Sequence, residues 1–153
     1  MVLKSWIIWS YIKTIMETKQ YNHLITESKI IRETVFVREQ GFKEEFDDID
    51  NSCIHFVCYH DDKAIGTCRV LYSKEHNGYM VGRVAVIKEY RKMGVGKELM
   101  KAAENYLHSI NVNKVYVSAQ KRAIPFYETI GYAPIGDFYL DEHYPHILMY
   151  KDI

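Results

Sequence analysis

The chain has 153 residues, 48% of them hydrophobic, which suits one domain with a core large enough to stand without disulfide or metal staples. Twenty Lys and Arg balance twenty Asp and Glu, so the formal net charge is zero, and neither nucleic acid nor an acidic membrane surface is called for as a partner. The three cysteines, Cys53, Cys58 and Cys68, fit no zinc-ligand spacing, and no metal is expected. They sit in apolar, β-like stretches and read as buried free thiols of a reducing, cytoplasmic compartment.

In chain order, Trp6-Ile7-Ile8-Trp9 forms an apolar patch after Lys4. Ser10 and Lys13 break it, no small-residue cleavage site follows, and it falls far short of the ~20 apolar residues of a membrane span. Residues 1–15 therefore read as an N-terminal extension leading into an edge strand, with one domain over 16–153. Its apolar patch suits a cover for the domain or a homodimer contact. Helical spacing of Leu24, Ile25, Ile31, Val35 and Phe36 predicts a helix over 22–40, which Gly41 stops. An acidic loop, 43–52, follows. Strands are expected over 53–60 and 64–72, joined by Asp61-Asp62-Lys63, and over 79–87 after a turn at 73–78.

A helix over 94–110 places Val95, Leu99, Ala102, Ala103, Tyr106, Leu107 and Ile110 on one face. A strand over 113–119, a short helix over 121–130 ended by Gly131, and two strands around Asp141-Glu142-His143 complete the chain. This order defines an α+β domain with a mixed, mostly antiparallel central sheet flanked by helices.

The most informative stretch runs from Val84 to Gly96, where a strand gives way to a helix through Arg91-x-x-Gly94-x-Gly96. The first turn of a helix offers free N–H groups and the positive end of the helix dipole. Gly94 and Gly96 carry no side chain to block a close approach, so a pyrophosphate can settle on bare amides, with Arg91 and Lys92 adding charge. The stretch has no Gly-Lys-Ser/Thr ending and no third glycine, which excludes a Walker loop and a dinucleotide fingerprint.

Val84 to Gly96 with the helix after it resembles the acetyl-CoA signature of the GNAT superfamily. Phe126-Tyr127 followed by Gly131-Tyr132 is similar to a second segment of that family. Val35-Phe36-Val37-Arg38-Glu39-Gln40, Ala119-Gln120 and Pro145-His146-Ile147 extend the likeness to the bacterial ElaA/YjcF-like branch, over roughly 30–150.

The resemblance implies an N-acetyltransferase that moves the acetyl group of acetyl-CoA to a primary amine by direct attack in a ternary complex. It implies a pantetheine arm along the backbone of Val84, Ala85 and Val86, and a pyrophosphate on Arg91, Lys92, Met93, Gly94, Val95 and Gly96 with Lys97 beside it. Gln120 stands where the family often has an asparagine that touches the arm. Tyr127 matches the usual general acid. An amine of pKa ≈ 10.4 is mostly protonated at pH 7, so something must accept its proton. Glu39 and His146 lead as the base, with Asp50, His55 and ordered water as alternatives. A non-catalytic acetyl-CoA sensor would share the glycine loop and is the rival reading.

Overall fold

The computed structural model describes residues 16–153. The extension expected over 1–15, with its homodimer reading, lies outside the described residues. Strand β1 (Met16–Tyr21) is followed by helix α1 (Thr26–Arg32), whose last turns widen into a π-helical stretch, Glu33–Glu39. A 3-10 turn, Asp48–Ser52, leads into β2 (Ile54–His60), β3 (Lys63–Ser73) and β4 (Gly78–Val86). Then come α2 (Val95–Ser109), β5 (Lys114–Gln120), α3 (Ile124–Thr129), β6 (Ala133–Asp141) and β7 (Tyr144–Asp152).

The seven strands form one sheet in the order β1-β2-β3-β4-β5-β7-β6. All neighbours are antiparallel except β4 and β5. The expected α+β architecture is present, and β1 is the edge strand anticipated before the first helix.

Successive residues on a strand point to opposite faces, and β3 uses both. The Thr67 hydroxyl bonds Ser28 of α1 at 2.8 Å on one face. Cys68 packs on the other, its Sγ 3.9 Å from the carbonyl of Leu99 in α2. Val95, Leu99, Ala103 and Leu107, spaced by four, drive one stripe of α2 into the main core with Phe56, Cys68, Val70 and Val117. A smaller core of Ile31, Val35, Phe36 and Phe42 lies with Ala85 under α1.

Gly66 lets α2 come this close: a Cβ there would stand 2.8 Å from Val95 Cγ1 and 3.0 Å from Leu99 Cδ1. Met100, which the expected stripe omitted, is buried, whereas Ile110 lies just past the helix end and is exposed. All three cysteines are free and buried, as expected.

The first helix departs from its expected span of 22–40. Its start moves to Thr26 because residues 16–21 are taken by β1, and its second half is not α-helical. Apolar spacing does not distinguish α from π winding, and π-turns recur at functional sites. Gly41 does terminate it, at φ +75° with its N–H on the carbonyl of Val37 at 3.0 Å.

Candidate active site

Strands β4 and β5 pair at Tyr79–Val115, Met80–Tyr116 and Val81–Val117, and then separate. Beyond that point β4 stays with β3 and β5 stays with β7. The two inner strands thus open a gap in mid-sheet, and backbone groups facing it lack ladder partners. Val84, Ala85 and Val86 border the gap on one side, Ser118 and Gln120 on the other, within a cleft of about 920 Å³.

At one end of the cleft the chain turns from β4 into α2. Lys92 at φ +65° and Gly94 at φ +83° bend the backbone so that the helix starts without a side-chain cap. The N–H groups of Val95, Gly96 and Lys97 precede the first intrahelical bond of the turn, Glu98 N–H to the Gly94 carbonyl at 3.0 Å. Together with Lys92, Lys97 and Arg122, which line the same cleft, they make an anion cradle.

The two glycines serve different ends. Gly94 supplies a left-handed backbone in open space. Gly96, expected to clear the way for a ligand, lines the cleft and also makes room for Phe126, whose Cζ would lie 3.1 Å from a Cβ.

Arg91 does not point freely at the cradle. Its Nε donates to the Val86 carbonyl at 2.9 Å and its Nη2 to both carboxylate oxygens of Glu39 at 2.8 and 3.0 Å. Met93 shares the turn but does not line the cleft. Gln120 donates to Gln40 Oε1 at 2.7 Å and accepts from Arg122 Nε at 3.1 Å, so it ties the end of the π-helical stretch to the end of β5.

Tyr127 lies in the wall of the cleft, 7% exposed, with its ring edge-on to Phe126 and Tyr132. Burial, with a smaller effect of Cys68, holds its phenol well above the ordinary value, so it stays a neutral O–H donor.

His146, 5% exposed, also lines the cleft. Its Nδ1 lies 2.9 Å from the Tyr144 carbonyl, which can only accept, so Nδ1 carries the hydrogen and Nε2 of the neutral ring keeps a lone pair. Tyr139 stacks on this imidazole and Phe42 meets it edge-on. The β6–β7 turn is clasped across the cleft's rim: Glu142 accepts from the N–H groups of Lys43 and Glu44, and His143 Nε2 donates to the Gln40 carbonyl.

Asp50 and His55 are brought elsewhere. Asp50 receives Arg32 Nη1 at 2.8 Å and Arg69 Nη1 at 2.9 Å. Burial alone would raise its carboxyl, and the two arginines more than offset that, so it sits below the usual range. His55 Nε2 donates to the Asp50 carbonyl at 3.0 Å, and burial lowers its pKa. Neither lines the cleft.

Asp50, Cys53 and His55 place three potential metal ligands within 4.8 Å of one another. Burial pushes the Cys53 thiol up to about 11, however, and it donates to the Ile49 carbonyl. The donors of this trio are engaged in hydrogen bonds, beside two guanidinium groups.

Phe42, Tyr139, Arg69 and Arg83 line or frame the site and were not anticipated. Gly82, inside the strand rather than at its end, was the available signal for the irregular pairing with β3 at Arg83.

A sheet split beside a helix N-terminus, with a phenol and an imidazole in the same cleft, suits a ligand that carries an anionic end and an extended arm. Residues 15–153 match the family described as the acetyltransferase (GNAT) domain. YjcF of Bacillus subtilis, named an N-acetyltransferase, is 36% identical over 126 residues, covering 80% of this chain and 88% of that protein. The protein ElaA of Escherichia coli is 30% identical over 128 residues, covering 80% and 84%. Its crystal structure superposes with a TM-score of 0.78 at 28% identity, covering 90% of this chain and 99% of that one. The chain therefore belongs to the GNAT acetyltransferase family, whose members use acetyl-CoA, and is an acyltransferase.

Among the described residues no helix is long and apolar enough to cross a membrane.

Proposed function

We propose that this chain is an N-acetyltransferase that carries the acetyl group of acetyl-CoA to a primary amine by direct attack in a ternary complex. One observation carries the reading: the cleft runs from the cradle at the start of α2, through the gap between β4 and β5, to Tyr127 and His146. The residues present fit the co-substrate. Free N–H groups and Lys92, Lys97 and Arg122 suit a diphosphate, and the unpaired edge of Val84–Val86 suits an amide-bearing arm. Acetyl-CoA, once bound, supplies an acyl group already activated as a thioester.

The chain's residues then have separate tasks. The β4 backbone aligns the arm, and an N–H of Val84–Val86 polarises the thioester carbonyl. His146 Nε2 accepts a proton from the acceptor's ammonium group, because Nδ1 is fixed on Tyr144 and Nε2 is free. The amine nitrogen bonds to the carbonyl carbon, the carbon–sulfur bond breaks, the Tyr127 O–H protonates the departing sulfur, and the second proton shed by the nitrogen restores the Tyr127 phenol. Glu39, paired to Arg91, serves better as the anchor of that arginine beside the β4–α2 turn than as the base. Buried free cysteines support a reducing, cytoplasmic setting.

The test is thiol release from acetyl-CoA across a panel of amines, with calorimetric titration of acetyl-CoA alongside. His146→Asn keeps a donor for the Tyr144 carbonyl and removes the base, so kcat should fall ~100-fold at pH 7 and recover as pH approaches the amine's own pKa. Tight acetyl-CoA binding with no turnover on any amine would favour a sensor instead.

A further inference from the structure

Two arginines face the cleft away from the cradle with donors uncommitted. Between the pairs Thr67–Ala85 and Arg69–Gly82, β4 carries one residue more than β3. Arg83 absorbs the surplus at φ +52°, a conformation that long side chains adopt only when the surroundings impose it. Its side chain lines the cleft and is 25% exposed. Nε reaches the Glu45 carboxylate at 3.1 Å and the Glu45 carbonyl at 3.3 Å, while Nη2 lies 3.5 Å from Asp47. Among the described residues, Nη1 has no partner.

Arg69, 4% exposed, donates its Nη groups to Asp47 and Asp50, but its Nε is buried with no partner. Gly82 pairs with Arg69 and lines the cleft, and a Cβ there would stand 4.0 Å from that Nε and 3.9 Å from Leu71 Cδ2. The missing methyl keeps the cleft wall thin over an uncommitted guanidinium N–H.

Glu45, Asp47 and Asp50 balance the charge of Arg69, Arg83 and Arg32, so what the two cleft arginines still offer an acceptor is N–H donors, which a simple ammonium group cannot use. An oxyanion on the acceptor would accept from the open N–H groups and complete the Arg83 fork. Glu45 pairs with Arg83 and Asp47 with both guanidinium groups, which fixes the two arginines in advance.

We propose that the acceptor is a small amine that also carries an oxyanion, carboxylate or phosphate, and that Arg83 is the specificity residue that binds it. Arg69 backs it and Gly82 keeps the approach open. The proposal rests on the transferase reading above.

Matched acceptors test it: the common α-amino acids, the same amines without the carboxylate, and aminoalkyl phosphates. For at least one pair, kcat/KM should favour the oxyanion-bearing member by tenfold or more, and the better of carboxylate and phosphate names the group. Arg83→Met should raise KM for that acceptor at least tenfold and narrow the preference within the pair to threefold or less. The calorimetric acetyl-CoA dissociation constant should hold. Gly82→Ala, whose methyl meets only ordinary contacts, should raise the same KM while the thermal midpoint stays put, a control should Arg83→Met fold poorly. Titration of the N-acetylated amino acid gives a readout without turnover: binding to wild type, lost in Arg83→Met.

Plain amines turning over as well as their oxyanion-bearing counterparts would overturn the proposal and leave the transferase reading standing. So would an equal loss for both members of a pair in Arg83→Met. Failure of acetyl-CoA to bind would overturn both.

Discussion

Tyr127→Phe is the most direct probe of the chemistry. The substitution removes one oxygen and keeps the ring that packs between Phe126 and Tyr132 at centroid distances of 5.1 and 5.7 Å. Stability should therefore change little, and the thermal midpoint checks this. On the proposed mechanism, what is lost is a donor to sulfur as negative charge develops on it. A hydrogen bond to a charged group contributes ~1.5–3 kcal/mol, which corresponds to a drop of roughly 10- to 150-fold in kcat. The KM for acetyl-CoA should hold, because the donor acts on charge that appears only as the bond breaks. Burial keeps the Tyr127 phenol above its ordinary value, so wild-type activity should show no fall from its ionisation below pH ~10. The assay is thiol release at saturating acetyl-CoA from pH 6 to 10. A kcat within threefold of wild type, with an unchanged pH profile, would remove Tyr127 from the role of acid.

Three further outcomes test the framework around the site. Gly66→Ala should destabilise by ~1–3 kcal/mol in denaturant melts, because its methyl would lie 2.8 Å from Val95 Cγ1 and 3.3 Å from the Ala85 carbonyl oxygen; a change below 0.5 kcal/mol would show that α2 can shift freely. Arg32→Met should cost ~3–5 kcal/mol, since it strips a 2.7 Å bond from Glu45 and a 2.8 Å bond from Asp50, both buried; a neutral result would mean that Arg69 and Arg83 suffice to compensate them.

The protein should also lose stability in alkali. Burial raises the thiol pKa of Cys53 to about 11 and raises that of Cys68 further. Between the unfolded values near 9 and the folded ones, the folded state binds more protons, so unfolding gains as pH rises. Thermal midpoints should fall from pH 9 to 11, and Cys53→Ala should flatten the fall; a flat wild-type profile would contradict the burial of these thiols.

Much of the architecture follows from local rules that the sequence states openly. The four-residue spacing of Val95, Leu99, Ala103 and Leu107 sets the buried stripe of α2, since helix period alone decides which residues share a face. Gly41, Gly94 and Gly131 mark left-handed backbone, and all three have positive φ. The glycine turn between β4 and α2 was legible for the same reason: strand, turn and helix start are consecutive in the chain.

What the tertiary structure decided depends on partners far apart in sequence. Gln120 meets Gln40 across 80 positions, and Glu142 meets Lys43 across 99; no period or turn rule encodes such pairs. The four candidate bases could each accept a proton as residue types, and only long-range contacts separated them. They buried Asp50 and His55 in an arginine network and set His146 beside the cleft between Tyr139 and Phe42. The role of Gly96 likewise depended on Phe126 arriving from α3, 30 positions later. The bulge at Arg83 and the π winding of Glu33–Glu39 have no counterpart in the apolar spacing, which is the same for α and π turns and for regular and bulged strands. Local propensity specified the elements, and the long-range fit of those elements specified which side chains share the cleft.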